Sequence, residues 1–175
     1  MSLDKKLELM NLLHQLNVVQ KGTFSLTSGK ISNFYLDIKL ALGNPLALIL
    51  MRDLLVEKFS EKTSCVVACG YGGIALASAI STNYNLPLSM VRAEERTHGM
   101  KKAIEGYIPN PSDVCAFIDD VFSTGKSINL LADKIQLTSA KISGAYVVVN
   151  RTDLNNSEKN IPFSLYSLFS IKDLV

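Results

Sequence analysis

Val114-Cys115-Ala116-Phe117-Ile118-Asp119-Asp120-Val121-Phe122-Ser123-Thr124-Gly125-Lys126-Ser127 joins an apolar run, two adjacent carboxylates and a turn of small hydroxylated residues. The run Val114–Ile118 predicts a short buried strand that ends at the carboxylates, and the turn predicts a helix over 125–138. Each part has a chemical use. Two carboxylates at a strand end accept hydrogen bonds from the 2′- and 3′-hydroxyls of a ribose. The exposed N–H groups of a helix start, with hydroxyls and a glycine beside them, receive a phosphate at close range. Together they describe a site for ribose 5-phosphate. The plainer reading, an ordinary capped helix with acidic neighbours, accounts for one Asp and one Thr but not for the whole pattern.

Outward from this stretch the chain repeats one grammar. Cys65-Val66-Val67-Ala68-Cys69 reads as an apolar strand, followed by a glycine-rich turn and a helix over 73–85. Leu88–Val91 and Gly144–Val149 read as two more strands. Apolar strands alternating with helices predict a parallel α/β sheet flanked by helices on both faces. Ligands of such sheets bind where loops leave the carboxyl ends of the strands. Residues 93–106 leave one such end, are charged and lack an apolar period; they read as a lid.

Upstream the signals change. Residues 3–18 carry Leu3, Leu7, Met10, Leu13 and Leu16 at helical spacing, as one apolar face. Residues 22–39 read as extended pieces broken at Ser28-Gly29. Asn44-Pro45 reads as an N-cap with proline in the first turn, opening a helix that buries Leu46, Ile49, Leu50 and Leu54. At 175 residues the expectation is one domain, 1–175.

Composition excludes several classes. A net charge of +2 is too small to argue for nucleic acid, and no apolar run approaches a membrane span. The start Met1–Lys6 lacks the apolar core of a secretory signal. Cys65, Cys69 and Cys115 are odd in number and lie in strand-like runs; they read as small core residues in a reducing, cytoplasmic setting. Gly70-x-Gly72-x-x-Ala75 after a strand also fits a relaxed dinucleotide fingerprint, with Glu94 or Glu95 as the acidic partner. That reading leaves Asp119–Ser127 without a role.

The 114–127 stretch resembles the phosphoribosyl pyrophosphate signature of the type I phosphoribosyltransferases. Four more stretches resemble the orotate phosphoribosyltransferase family: Gly22–Asp37 its hood segment, Gly70–Ala77 its pyrophosphate turn, Arg92–Gly99 its catalytic loop, and Val149-Asn150-Arg151 the strand end that holds the base. The tail, Ser167–Leu174, resembles the family's closing segment. The resemblance implies a small hood from about 20–40 and the C-terminal tail. It implies transfer of ribose 5-phosphate from phosphoribosyl pyrophosphate to orotate, giving orotidine 5′-monophosphate and pyrophosphate in pyrimidine biosynthesis. Phosphoribosyl pyrophosphate is expected on Tyr71, Gly72, Gly73, Arg92, Asp119, Asp120, Val121, Phe122, Ser123, Thr124, Gly125, Lys126 and Ser127. Arg96, His98, Asp119 and Asp120 carry the catalytic roles. Thr27, Ser28, Gly29, Tyr35 and Arg151 bind the base, the guanidinium of Arg151 forking onto its carboxylate. Mg2+ is implied, held mainly by the substrate diphosphate, as is a homodimer that shares loop 93–106 across its interface. Family lysines are absent at Thr27, Gly72, Ala93 and Arg96. Their loss keeps two alternatives open: a catalytically weak or silent phosphoribosyl pyrophosphate-binding regulator, or a transferase for another base.

Overall fold

The computed structural model describes residues 2–25, 31–93, 102–152 and 161–175. The central sheet is built from β3 (Cys65–Ala68), β4 (Leu88–Val91), β5 (Ile104–Gly106), β6 (Val114–Phe122), β7 (Lys141–Asn150) and β8 (Leu165–Ser170). Their order is β5-β4-β3-β6-β7-β8, parallel throughout except for β5, which runs antiparallel to β4. A separate antiparallel pair, β1 (Val19–Ser25) and β2 (Ile31–Leu36), forms the hood. The helices are α1 (Ser2–Gln15), α2 (Lys39–Leu42), α3 (Pro45–Val56), α4 (Gly70–Tyr84) and α5 (Lys126–Gln136).

Period-two alternation divides the strand side chains between two cores. Val66, Ala68, Ala116, Ile118, Tyr146 and Val148 pack with α1, α3 and α4. Cys65, Val67, Cys115, Phe117, Ala145 and Val147 pack on Ile128, Leu131 and Ile135 of α5. All three cysteines are buried and unbridged, as expected of core residues. From β3 the chain moves through α4 to β4 on one side. From β6 it moves through α5 to β7 on the other. The crevice between the carboxyl ends of β3 and β6 is therefore the switch point where such sheets bind ligands.

The structure corrects several boundaries, each for a local reason. α1 ends at Gln15, and Asn17 at φ 53° turns the chain into β1. Its inward stripe is Leu9 and Leu13, not the Leu3–Leu7 line; Leu3 is 81% exposed. That roll buries Leu9 and Leu13 completely and brings the Lys5 ammonium to 3.6 Å from Asp53 of α3. In α3 the Asn44 side chain accepts from the Ala47 N–H at 3.0 Å, as a cap should. The buried stripe is then Ala47, Leu50, Met51, Leu54 and Leu55; Leu46 and Ile49 lie outside it, among the exposed residues.

The strand bearing the carboxylates does not stop at them. β6 runs on to Phe122, because the long β7 supplies partners: Asp119 pairs with Val147, Val121 with Val149 and Phe122 with Asn150. The glycine turn after β3 is shorter than expected. Gly70 takes it alone at φ +67°, so the helix starts at 70 rather than 73. The helix after β6 is Lys126–Gln136, two residues shorter at its end, with Gly125 as its N-cap at φ +76°. Within the expected lid, Ile104–Gly106 is a strand, too short to show a period in sequence. The tail is not part of the hood sheet: β8 lies parallel to β7 in the main sheet. The end of the tail still comes beside the hood: Ile171, Lys172 and Val175 share a hollow with Phe34, and Leu174 and Val175 share another with Val19 and Lys21.

Candidate active site

Asp119 and Asp120 are neighbours on β6, so the pleat sends their side chains to opposite faces. Asp120 turns toward α4: a Cβ built on Gly72 would collide with its carboxyl group, 2.3 Å from Cγ. Asp119 turns toward α5, where the Ser127 hydroxyl bonds to it. The Asp119 carboxylate also accepts the Asp120 N–H at 3.0 Å, and Asp120 accepts the N–H of Val121 at 3.0 Å. Both side chains are thus fixed by their own backbone.

Asp119 is 7% exposed. Burial, and then the charge of Asp120, push its carboxyl up to about 8. Both causes favour the protonated form of Asp119. The same surroundings raise the Cys69 thiol to about 11, burial first and the Asp119 charge second, so Cys69 stays an inert thiol.

Two backbone turns flank the carboxylates. The first is the start of α4. Gly72 and Gly73 are buried there, and a Cβ at Gly73 would sit 2.7 Å from the Ile118 carbonyl oxygen. Glycine at both positions is what lets the helix start lie against β6. Tyr71, between the turn and these glycines, is 91% exposed. The second turn is Ser123–Ser127, which with Asp119, Val121, Phe122 and Ile128 surrounds a hollow of about 40 Å³. Both turns present the free N–H groups of a helix start, suited to anions.

Arg151 follows β7. Its N–H donates to the Phe122 carbonyl at 2.8 Å, and its guanidinium lies 5.9 Å from the Phe34 ring centroid, in cation–π range. Thr152 donates to the Asn150 side-chain oxygen through both its N–H (2.9 Å) and its hydroxyl (2.7 Å), fixing the bend on either side of Arg151. Tyr35, next to Phe34 on β2, projects from the opposite face of that strand and meets Phe24 at 5.6 Å. Arg92, at the end of β4, donates from Nε and Nη2 to Glu105 of β5, at 3.0 and 2.9 Å.

The structure thus gathers Tyr71, Gly72, Gly73, Asp119, Asp120, Val121, Phe122 and the 123–127 turn at the switch point, and sets Arg151 one strand further along. Thr27, Ser28, Gly29, Arg96 and His98 lie outside the described residues. Sequence reasoning missed Thr152, Glu105 and Lys39. The signal for Lys39 was present, a basic residue two positions after Asp37, at the end of the hood stretch. Among the described residues no group of three His, Cys, Asp or Glu side chains is placed to cage a metal, and no helix is long and apolar enough to cross a membrane.

A mostly parallel sheet with adjacent carboxylates at its switch point, between a glycine-built helix start and a hydroxylated turn, defines a type I phosphoribosyltransferase. The chain is 36% identical over 174 residues to an orotate phosphoribosyltransferase of Pyrococcus abyssi, covering 97% of this chain and 94% of that one. It is 32% identical over 175 residues to the orotate phosphoribosyltransferase of Methanocaldococcus jannaschii, covering 98% of each. The chain belongs to the orotate phosphoribosyltransferase family. The crystal structure of orotate phosphoribosyltransferase from Aeropyrum pernix superposes with a TM-score of 0.82 at 26% identity, covering 95% of both chains. No family model matches the chain.

Proposed function

We infer that this chain transfers ribose 5-phosphate from phosphoribosyl pyrophosphate to orotate, giving orotidine 5′-monophosphate and pyrophosphate in pyrimidine biosynthesis. The observation that carries the reading is the Asp119–Asp120 pair between the start of α4 and the 123–127 turn. The ribose hydroxyls donate to the two carboxylates. The 5-phosphate takes the N–H groups and the hydroxyls of Ser123, Thr124 and Ser127, with Lys126 beside them. The diphosphate takes the N–H groups of Tyr71, Gly72 and Gly73, and the Arg92 guanidinium once it leaves Glu105.

On the base side, Arg151 forks onto the orotate carboxylate, and Phe34 holds the guanidinium in place. Thr27, Ser28, Gly29 and Tyr35 complete that side from the hood. As a ring nitrogen of the base attacks C1′ and the diphosphate leaves, the ribose gains positive charge. The paired carboxylates favour that charge. Arg96 and His98 belong to a loop that covers the leaving group and excludes water. The loop 93–106 serves the neighbouring site of a homodimer.

Among the described residues there is no group of three His, Cys, Asp or Glu side chains to cage a metal, which fits a Mg2+ that would be held mainly by the substrate diphosphate. Bound Mg2+ neutralises charge on the diphosphate and makes it a better leaving group. The enzyme works in the cytoplasm, which three unbridged cysteines support.

The double substitution Asp119→Asn, Asp120→Asn tests the reading. It leaves both side chains their size and one acceptor oxygen each while removing the charge. Calorimetric titration with phosphoribosyl pyrophosphate and Mg2+ is expected to show binding in the parent and none in the variant. Equal affinity in both proteins overturns the assignment.

A further inference from the structure

The glycine at position 72 poses a problem of charge. Some members of the family carry a lysine in this turn, next to the diphosphate, and others lack it. Here a side chain at 72 has no room, since the Asp120 carboxyl group occupies the space a Cβ would need, 2.3 Å away. Arg92, the other cation expected on the diphosphate, is held by both Nε and Nη2 on Glu105. The crevice thus brings a strongly anionic ligand onto a carboxylate pair with little fixed positive charge facing it.

One side chain answers this. Lys39 is the first residue of α2, and α2 packs against α4. Its N–H donates to the Asp37 side chain at 3.2 Å, which anchors the backbone where the hood strand β2 hands over to the body. Its ammonium lies 3.9 Å from Oδ2 of Asp120, the same carboxyl group that lies over Gly72. The Asp120 side chain is held by one hydrogen bond from the Val121 N–H and is 14% exposed, whereas the Lys39 side chain is 60% exposed. The pair is therefore a loose contact at the edge of ion-pair range, on a stem with several free torsions.

We propose that Lys39 is a substrate-binding residue of this enzyme, the cation that meets the diphosphate from across the crevice in place of a lysine at position 72. In the empty site it rests on Asp120. When phosphoribosyl pyrophosphate arrives, the ribose hydroxyls take over the Asp120 oxygens, and the ammonium swings the short distance to the diphosphate. A lysine suits this part better than an arginine in a fixed fork, since a compact charge on a flexible stem can change partners without breaking a planar bidentate pair. The exchange also keeps Asp120 neutralised until its ligand is present. The inference rests on the assignment of phosphoribosyl pyrophosphate to this crevice.

Three ligands separate the roles: phosphoribosyl pyrophosphate with Mg2+, pyrophosphate with Mg2+, and ribose 5-phosphate, which lacks the diphosphate. In Lys39→Ala, affinity for the first two is expected to fall by about tenfold or more, the scale of a lost charge-assisted contact. Affinity for ribose 5-phosphate should change less than about twofold, because Asp120 keeps its Val121 hydrogen bond. KM for phosphoribosyl pyrophosphate should rise with little change in KM for orotate, and Lys39→Arg should recover most of the loss. An equal fall for ribose 5-phosphate overturns the proposal, since Lys39 would then act through Asp120 alone. Unchanged affinity for all three ligands also overturns it. Ribose 5-phosphate binding to the Asp119→Asn, Asp120→Asn protein checks the crevice assignment separately: if that double variant binds as the parent does, the assignment fails whatever Lys39 does.

Discussion

At the scale of single residues, Asp119 is the most consequential. Its carboxyl is ordinary in the unfolded chain, near 3.8, and is pushed up to about 8 in the folded one by burial and by Asp120. Between those values the folded protein holds a proton that the unfolded chain has lost. Stability therefore declines as pH rises through that window, and this contribution levels off above about 8. Asparagine has no charge to bury. Asp119→Asn should accordingly gain stability over the parent as pH rises from about 5 to 8, by about 1 kcal/mol or more, since one pH unit of titration is worth about that much. Urea unfolding of both ligand-free proteins at the two pH values measures it. A gap that fails to widen with pH means that Asp119 is ionised in the folded protein. A gap that does widen makes Asp119→Asn the more stable and less active protein, as expected where a site is built at the expense of the fold.

At the scale of elements, the start of α4 shows what was legible and what was not. The strands β3, β4 and β6 and the helix after each could be read from apolar runs and glycine turns, because buried parallel strands are uniformly apolar. Asn44 could be read as a cap because its chemistry is local. The extension of β6 to Phe122 could not, because it depends on the length of β7, a partner over twenty residues away in sequence. Nor could the stripe on α1, since it depends on which face packs against α3. Of the site, the carboxylates and both turns were legible as composition at fixed spacing. Phe34 against Arg151 and Lys39 against Asp120 were not, since those contacts join the hood region to strand ends far along the chain.

The same element yields a paired prediction. Gly72 and Gly73 adjoin in sequence but face different obstacles. An added methyl at 72 meets a side-chain end that can swing away. At 73 it meets a carbonyl oxygen of β6 at 2.7 Å, which cannot move without the strand. Gly72→Ala is expected to leave stability within about 1 kcal/mol, helped by better helix propensity. It should weaken phosphoribosyl pyrophosphate binding at least about tenfold by displacing Asp120. Gly73→Ala should cost about 1–3 kcal/mol of stability, the usual range for overpacking. Thermal melts and ligand titrations of the two variants distinguish these outcomes, and a larger stability loss at 72 than at 73 contradicts the geometry.

At the scale of the whole molecule, the proposed sharing of loop 93–106 between subunits would make activity a property of the pair. Arg96→Ala and the Asp119→Asn, Asp120→Asn protein should each be nearly inactive alone. Unfolded together and refolded, they form mixed dimers in which both lesions fall on one site and the other site is whole. About a quarter of parental activity should return, since about half the dimers are mixed and each has one intact site. No recovery in a sample shown to contain mixed dimers places the loop over its own subunit.

The pairing of β3 with β6 has a further consequence, which concerns time rather than geometry. Cys65 lies opposite Cys115, fifty positions along the chain, and their sulphurs are 3.3 Å apart. The glycine turn and the carboxylates depend on that one rung, so neither half of the site exists until a long loop has closed. Closure of this kind is slow, because its entropy is lost before any contact rewards it. Within the sheet β8 pairs only with β7, on its outer side, and takes no part in that closure. During synthesis, then, the ligand crevice can form before the last strand has been made, and a bound substrate can act as a brace for a chain still being finished.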